Sequence, residues 1–186
     1  MREVLALRDA RLYLAGQTLS MFGDSALLLA LGIWAKQLTG SSGAAALVIL
    51  AVVAPALLAP LTGLLADRVR RRPLLIVTNL LTAVAVLPLL TVDGPGDVWL
   101  LYVVGALYGL SSTVIGAGQN GLLVTVVPDR LLPAANGALQ TAREGLRMIA
   151  PLVGAGLFAA FGGGAVAVLD ALTFLAAAGA LAAMGV

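Results

Sequence analysis

Six apolar stretches divide this chain, each of about 20 residues, the length a helix needs to cross roughly 30 Å of hydrocarbon. They run over residues 12–35, 44–65, 74–92, 98–115, 138–161 and 165–184. Lipid offers the backbone no hydrogen-bond partners, so segments of this kind must be helical. A membrane β-barrel would show alternating segments of about ten residues, and the sequence has none. A soluble fold cannot absorb the stretches either. The 186-residue chain is 61% apolar and 11% charged, against roughly 45–50% and 25% in ordinary globular chains, and a chain this short cannot hide that much apolar surface in one core. The expectation is an all-α integral membrane protein, one bundle of six transmembrane helices over residues 1–186, surrounded by membrane lipid.

The breaks between the stretches carry turn chemistry. Thr39-Gly40-Ser41-Ser42-Gly43 follows the first, Asp67 to Pro73 the second, and Asp93-Gly94-Pro95-Gly96-Asp97 the third. Pro128-Asp129-Arg130 and Pro133 precede the fifth, and Gly162-Gly163-Gly164 closes it. Gly116 to Val127, which contains Gln119 and Asn120, reads as a cytoplasmic extension of the fourth helix. Arg2, Glu3, Arg8, Asp9 and Arg11 interrupt the N-terminus, which is therefore not read as a secretory signal. With a cytoplasmic N-terminus, Arg2, Arg8, Arg11, Arg68, Arg70, Arg71, Arg72 and Arg130 fall on the inner side and only Lys36 on the outer. That bias follows the positive-inside rule and places both termini in the cytoplasm of a multi-pass cell-membrane protein.

Composition also excludes chemistries. The chain has no Cys and no His, so disulfides, thiolate nucleophiles, His-based triads and the usual zinc sites are unavailable. No nucleophile–base pair is visible without them, and the expectation is a protein that is not an enzyme and needs no metal or cofactor. A net charge of +2 is too small to argue for nucleic acid; topology accounts for the arginines.

One loop is more specific. Residues 63–72 read Gly-Leu-Leu-Ala-Asp-Arg-Val-Arg-Arg-Arg. This resembles the loop signature of the major facilitator superfamily, G-x-L-A-D-R-x-G-R-R/K, with Gly63, Leu65, Ala66, Asp67, Arg68, Arg71 and Arg72 in register and Arg70 standing where the pattern has glycine. In physical terms Gly63 permits close helix approach, and Asp67 at a helix end can pair with an arginine fork. The resemblance implies that this cluster gates the cytoplasmic side.

Residues 15–24, Leu38 to Ser42, Val126 to Arg130 with Ala135 to Leu139, and Asp170 to Phe174 are similar to the macrolide and siderophore exporter branch of that superfamily. Ala150-Pro151-Leu152-Val153-Gly154-Ala155-Gly156 is similar to the exporter motif G-P-x-x-G-G, with Ala150 and Ala155 replacing two glycines. There Pro151 would bend the helix, and Gly154 and Gly156 would allow close packing.

The resemblance implies the N-terminal six-helix half of a twelve-helix fold. The second half would come from the same gene, a split gene or a second copy. It further implies proton-driven efflux of hydrophobic or amphipathic small molecules such as drugs, macrolides or siderophores. The alternative is a truncated or half-size protein that assembles with a partner and does not itself transport.

Charges inside a bilayer cost about 2.5–3.5 kcal/mol on insertion scales and mark functional candidates. Asp24 follows Arg11 by thirteen residues, roughly 20 Å along a helix, near the midplane where transporter sites lie. It is a candidate proton-coupling group, because burial favours the neutral form of a carboxyl and a nearby arginine the charged form; it can equally be a hydrogen-bonding partner between helices. Asn136, Gln140, Arg143 and Arg147 share one helix face at i, i+4, i+7 and i+11, a stripe suited to a wet cavity. Glu144 flanks it, within reach of Gln140 or Arg147, and those arginines can serve transport or a structural ion pair. Asp170, in the outer part of the sixth helix, joins the coupling candidates, or reaches interfacial water or caps the helix. Trp34 and Trp99 fall at outer span ends, an aromatic-belt position. Tyr102 and Tyr108 can line the cavity or pack.

Overall fold

A computed structural model describes residues 2–185, and every regular element among them is helical. A short helix α1 (Arg2–Ala6) leads into α2 (Arg8–Thr39). The second span is α3 (Ser42–Val53), a 3-10 segment over Ala54–Leu58, and α4 (Ala59–Arg68). The third is α5 (Arg71–Ala85) followed by a 3-10 segment over Leu87–Thr91. Then come α6 (Val98–Val126), α7 (Leu132–Phe161) and α8 (Gly163–Ala182). Six helical units are long and apolar enough to cross a membrane.

Local chemistry sets the ends. Gly40 stops α2 at φ 69°, its N–H bonded to the Lys36 carbonyl at 2.8 Å, the left-handed stop that glycine adopts without a Cβ clash. One residue later the Ser41 hydroxyl accepts from the N–H groups of Gly43 and Ala44 and starts α3. Between the third and fourth spans Asp97 folds its carboxylate back onto the N–H groups of Asp93 and Gly94, at 3.0 and 3.1 Å. Pro55 and Pro88 stand at the first turns of the two 3-10 segments; proline has no N–H to give, and the regular α pattern lapses there.

The helices outrun the spans read from the sequence. α2 begins at Arg8 rather than near residue 12, α7 at Leu132 rather than 138, and α6 runs unbroken to Val126. Hydropathy marks what sits in lipid; backbone hydrogen bonding carries the helix on into water.

α2 is the hub, packed most extensively on α8 and α7 and also touching α3 and α6. Lipid supplies no hydrophobic drive for one apolar helix to join another, so the seam depends on close approach of small residues. Gly16, Ser20 and Gly23 line it on α2, at i, i+4 and i+7. On α8 the facing residues are Thr173, Ala177 and Ala180; a Cβ built on Gly16 would fall 2.9 Å from the Ala180 methyl, and one on Gly23 would overlap Thr173 Oγ1 and lie 2.6 Å from Asp170 Oδ1. The second span and α7 are the least covered of the six.

Candidate functional site

A cavity of about 360 Å³ opens between α2, α3, α6, α7 and α8. Two of its walls follow one rule of spacing. Gln17, Met21, Asp24 and Leu28 line it from α2, and Tyr108, Ser112, Ile115 and Gln119 from α6, each set at i, i+4, i+7 and i+11, the register that keeps one helix face toward one space. α7 adds Arg143 and Arg147, and α8 adds Phe174. Asp24 stands at the middle of α2 and its Oδ1 accepts the Tyr108 hydroxyl at 2.7 Å. The Tyr108 ring meets Phe174 edge-on, centroids 6.1 Å apart. Further along, Gln119 donates its side-chain amide to Gln17, and Tyr13 donates to the Gln119 backbone carbonyl at 3.1 Å.

The structure therefore brings Asp24, Arg143 and Arg147 to one cavity. It adds Gln17, Ser112 and Gln119, which reading the sequence did not select for the site, and of the two readings left open for Tyr108 it takes the cavity wall. Gln119, assigned to a cytoplasmic extension, faces the same space as Asp24. The signal was available: α6 repeats the 4-3-4 spacing of the α7 stripe, but with neutral residues, which hydropathy does not flag.

On α7 the flanking acid makes both of its expected contacts. Gln140 Nε2 donates to Glu144 Oε1 at 2.7 Å, and Arg147 Nη1 lies 3.4 Å from the same oxygen. Gln140, Glu144 and Arg147 are exposed, and Gln140 and Glu144 are not part of the cavity wall. Arg143 makes no hydrogen bond among the described residues and lies close enough to Tyr13 to act on it electrostatically.

Asp170 departs from its expected surroundings. It is 0% exposed and sits seven residues inside α8, too deep to cap the helix or reach interfacial water. It is held against the bare backbone at Gly23 and does not line the cavity.

The arginine-rich signature occupies one end of the bundle. Arg71 Nη1 donates to the Gly121 carbonyl of α6 at 3.1 Å and Nη2 lies 3.5 Å from Asp67. Arg72 donates to the Leu181 and Ala182 carbonyls, both at 2.9 Å, at the C-terminal turn of α8, where carbonyls lack intrahelical partners and a cation is favoured. At the same end Arg8 donates to Ala183, the Asp9 carboxylate accepts from the Gly185 N–H, and Arg130 pairs with Glu3. Arg68 is exposed and makes no hydrogen bond or ion pair among the described residues.

Several expected packing roles change. A Cβ on Gly63 or Gly156 would meet nothing within 4 Å, so neither brings helices together among the described residues. Gly154 does: a Cβ there would lie 2.6 Å from the Ala26 carbonyl oxygen of α2. Pro151 sits inside α7, which continues through it. Trp34 is 8% exposed and packs on Gly163 and edge-on to Phe158, with centroids 6.0 Å apart; it belongs to the bundle interior rather than to an interfacial belt.

Fold and site together define a six-helix membrane bundle with a mixed polar and apolar cavity among its helices and an arginine latch at one end. The family model of the Major Facilitator Superfamily matches residues 13–185, and the chain belongs to that family, whose members are multi-pass membrane transporters. It is similar to an uncharacterized MFS-type transporter, YfiS, of Bacillus subtilis (strain 168), with 29% identity over 150 residues, covering 80% of this chain and 35% of the relative. The chain thus spans about a third of that relative's length. No solved structure matches.

Proposed function

We propose that this chain is the N-terminal half of a secondary active exporter that exchanges protons for hydrophobic or amphipathic small molecules. The N- and C-terminal ends of the bundle would face the cytoplasm. The observation that carries the reading is the cavity itself: an acid hydrogen-bonded to Tyr108 and two arginines face one space whose other walls include Met21, Leu28, Val52 and Phe174. Apolar walls with a few directed polar groups suit an amphipathic small molecule. A carboxyl at such a wall can exchange a proton as its surroundings alternate between dry and wet. Macrolides, siderophores or drugs fit this class of substrate, in line with the exporter branch that the motifs resemble. A second six-helix half, from the same gene, a split gene or a second copy, would close the cavity against the sparsely covered α7 and second span.

The gating role falls to Gly63, Asp67, Arg68, Arg71 and Arg72, with Arg71 and Arg72 tying the loop to α6 and α8. Asp24, Arg143 and Arg147 would bind or couple from the cavity wall, with Gln140 and Glu144 holding Arg147 in position. The test is efflux of rhodamine 6G from proteoliposomes with an imposed proton gradient, using the complete protein and its Asp24→Asn variant. Gradient-dependent efflux that Asp24→Asn uncouples supports the reading. A correctly folded chain that binds a partner and moves no dye at any gradient returns the non-transporting alternative.

A further inference from the structure

Among the described residues Asp170 is the least exposed ionisable side chain, with 0% exposure and neither carboxyl oxygen accepting a hydrogen bond. Its neighbours explain why. The seam with α2 presents the bare backbone of Gly23, tight against Asp170 Oδ1. A hydroxyl at the same point of the seam, Thr173 Oγ1, donates to the Asp170 backbone carbonyl at 2.8 Å. On α5, which also packs against α8, the buried Thr78, Asn79 and Thr82 all donate to carbonyls of their own helix. The 3-10 segment over Leu87–Thr91 has no ionisable residue. From α7, Arg143 and Arg147 stand at the cavity wall, and Glu144 is committed to Gln140 and Arg147. Asp24 follows Gly23 on α2, and its partner Tyr108 of α6 packs edge-on to Phe174, one turn along α8 from Asp170.

We propose that Asp170 is an occluded proton-holding carboxyl behind Asp24, and that the two pass a single proton between them. This rests on the reading of Asp24 as the proton-exchanging group. An ionised carboxylate buried without donors or a counter-cation is the costliest state of that side chain, and a proton removes the charge. Asp24 has what Asp170 lacks, a hydroxyl donor and an opening to the cavity, so the negative charge of the pair resides on Asp24. When the Tyr108 contact opens, the O–H bond at Asp170 breaks and one forms at Asp24. The pair keeps one negative charge through this transfer; release of the proton from Asp24 to the cavity raises it to two, and uptake of a proton from the cavity through Asp24 returns the pair to its starting state. A metal cation is poorly served here, because hard cations gather about six oxygens and the adjacent hydroxyl is already committed.

Infrared spectroscopy of this chain, labelled with 13C-aspartate and held in lipid nanodiscs in potassium buffer at neutral pH, reads the proton directly. One isotope-sensitive carboxylic-acid band is expected in the unmutated chain, so the result does not depend on a variant folding. Asp170→Asn should remove the band and Asp24→Asn should leave it. The proposal is overturned if the unmutated chain shows no such band, if Asp24→Asn removes it, or if added sodium abolishes it and so reveals a cation site. The band reports on Asp170 alone, whereas uncoupled dye efflux by Asp24→Asn reports on the transport reading, so either can fail without the other.

Discussion

The arginine latch and the intramembrane cluster are both polar, yet they are built in opposite ways. The latch comes from one short loop, Asp67 to Arg72, and it grips backbone carbonyls: Gly121 on α6 and Leu181 and Ala182 on α8. The intramembrane cluster draws side chains from three helices and joins them to one another, Tyr108 to Asp24 and Gln119 to Gln17 between α6 and α2, and Gln140 and Arg147 to Glu144 within α7. A latch on carbonyls depends on helix position and hardly on the identity of the residue gripped. A cluster of side chains depends on every identity and on the close packing that sets its register.

The packing beneath the cluster should therefore be the most sensitive element. Gly154→Leu forces a side chain into the Ala26 backbone of α2, and overpacking of this kind typically costs about 1–3 kcal/mol. Gly156→Leu, two residues on, meets open space and should change thermal stability in detergent little. Equal losses from the two would mean that α2 and α7 do not meet as described. At the latch, Arg72→Ala removes the charged hydrogen bonds to the Leu181 and Ala182 carbonyls of α8, each worth about 1.5–3 kcal/mol and less at this half-buried site. Faster amide exchange confined to the last turn of α8 is expected; an unchanged rate would detach Arg72 from that helix end.

These contrasts also explain what could be read without coordinates. The six spans were legible because lipid demands length and apolarity, and the loop signature because its residues are consecutive. Asp24, Arg143 and Arg147 stood out because charge in an apolar run is conspicuous, whereas Asn136 and Gln140 of the same stripe do not line the cavity. Gln17, Ser112 and Gln119 were not selected, because neutral residues in a hydrophobic helix announce themselves only through spacing. The carbonyls gripped by Arg71 and Arg72 leave no trace in side-chain identity. The same limit applies to small residues: Gly23 and Gly154 make close approaches and Gly63 and Gly156 make none, a distinction set by which neighbour each helix face meets. Asp170 was noticed as a charge, but its depth depends on the α2–α8 seam.

Gly121→Ala tests the carbonyl rule at finer scale. The added methyl would overlap the Arg71 guanidinium while leaving the carbonyl in place. A long side chain can shift, so the expected loss is at most one charged hydrogen bond, about 1.5–3 kcal/mol. Reduced protection at the start of α5, with α8 unaffected, would show that Arg71 and Arg72 act on their helices separately; loss at both would make the latch a single unit.

The smallest effect is expected at the contact that looks strongest by distance. Arg130 Nη1 and Glu3 Oε2 are 2.6 Å apart, joining α1 to the turn before α7, but their side chains are 72% and 65% exposed. Water screens such a pair, and two long side chains give up rotamer freedom to form it, so exposed pairs contribute about 0–1 kcal/mol. A double-mutant cycle with Arg130→Ala and Glu3→Ala should give a coupling below the loss from Arg72→Ala alone, and it should fade as salt rises. A coupling larger than that loss, or one indifferent to salt, would mean that the pair is shielded in the membrane-bound protein. The arginine-rich end would then be held by side-chain identity, as the cluster is, and the contrast between the two regions would not hold there.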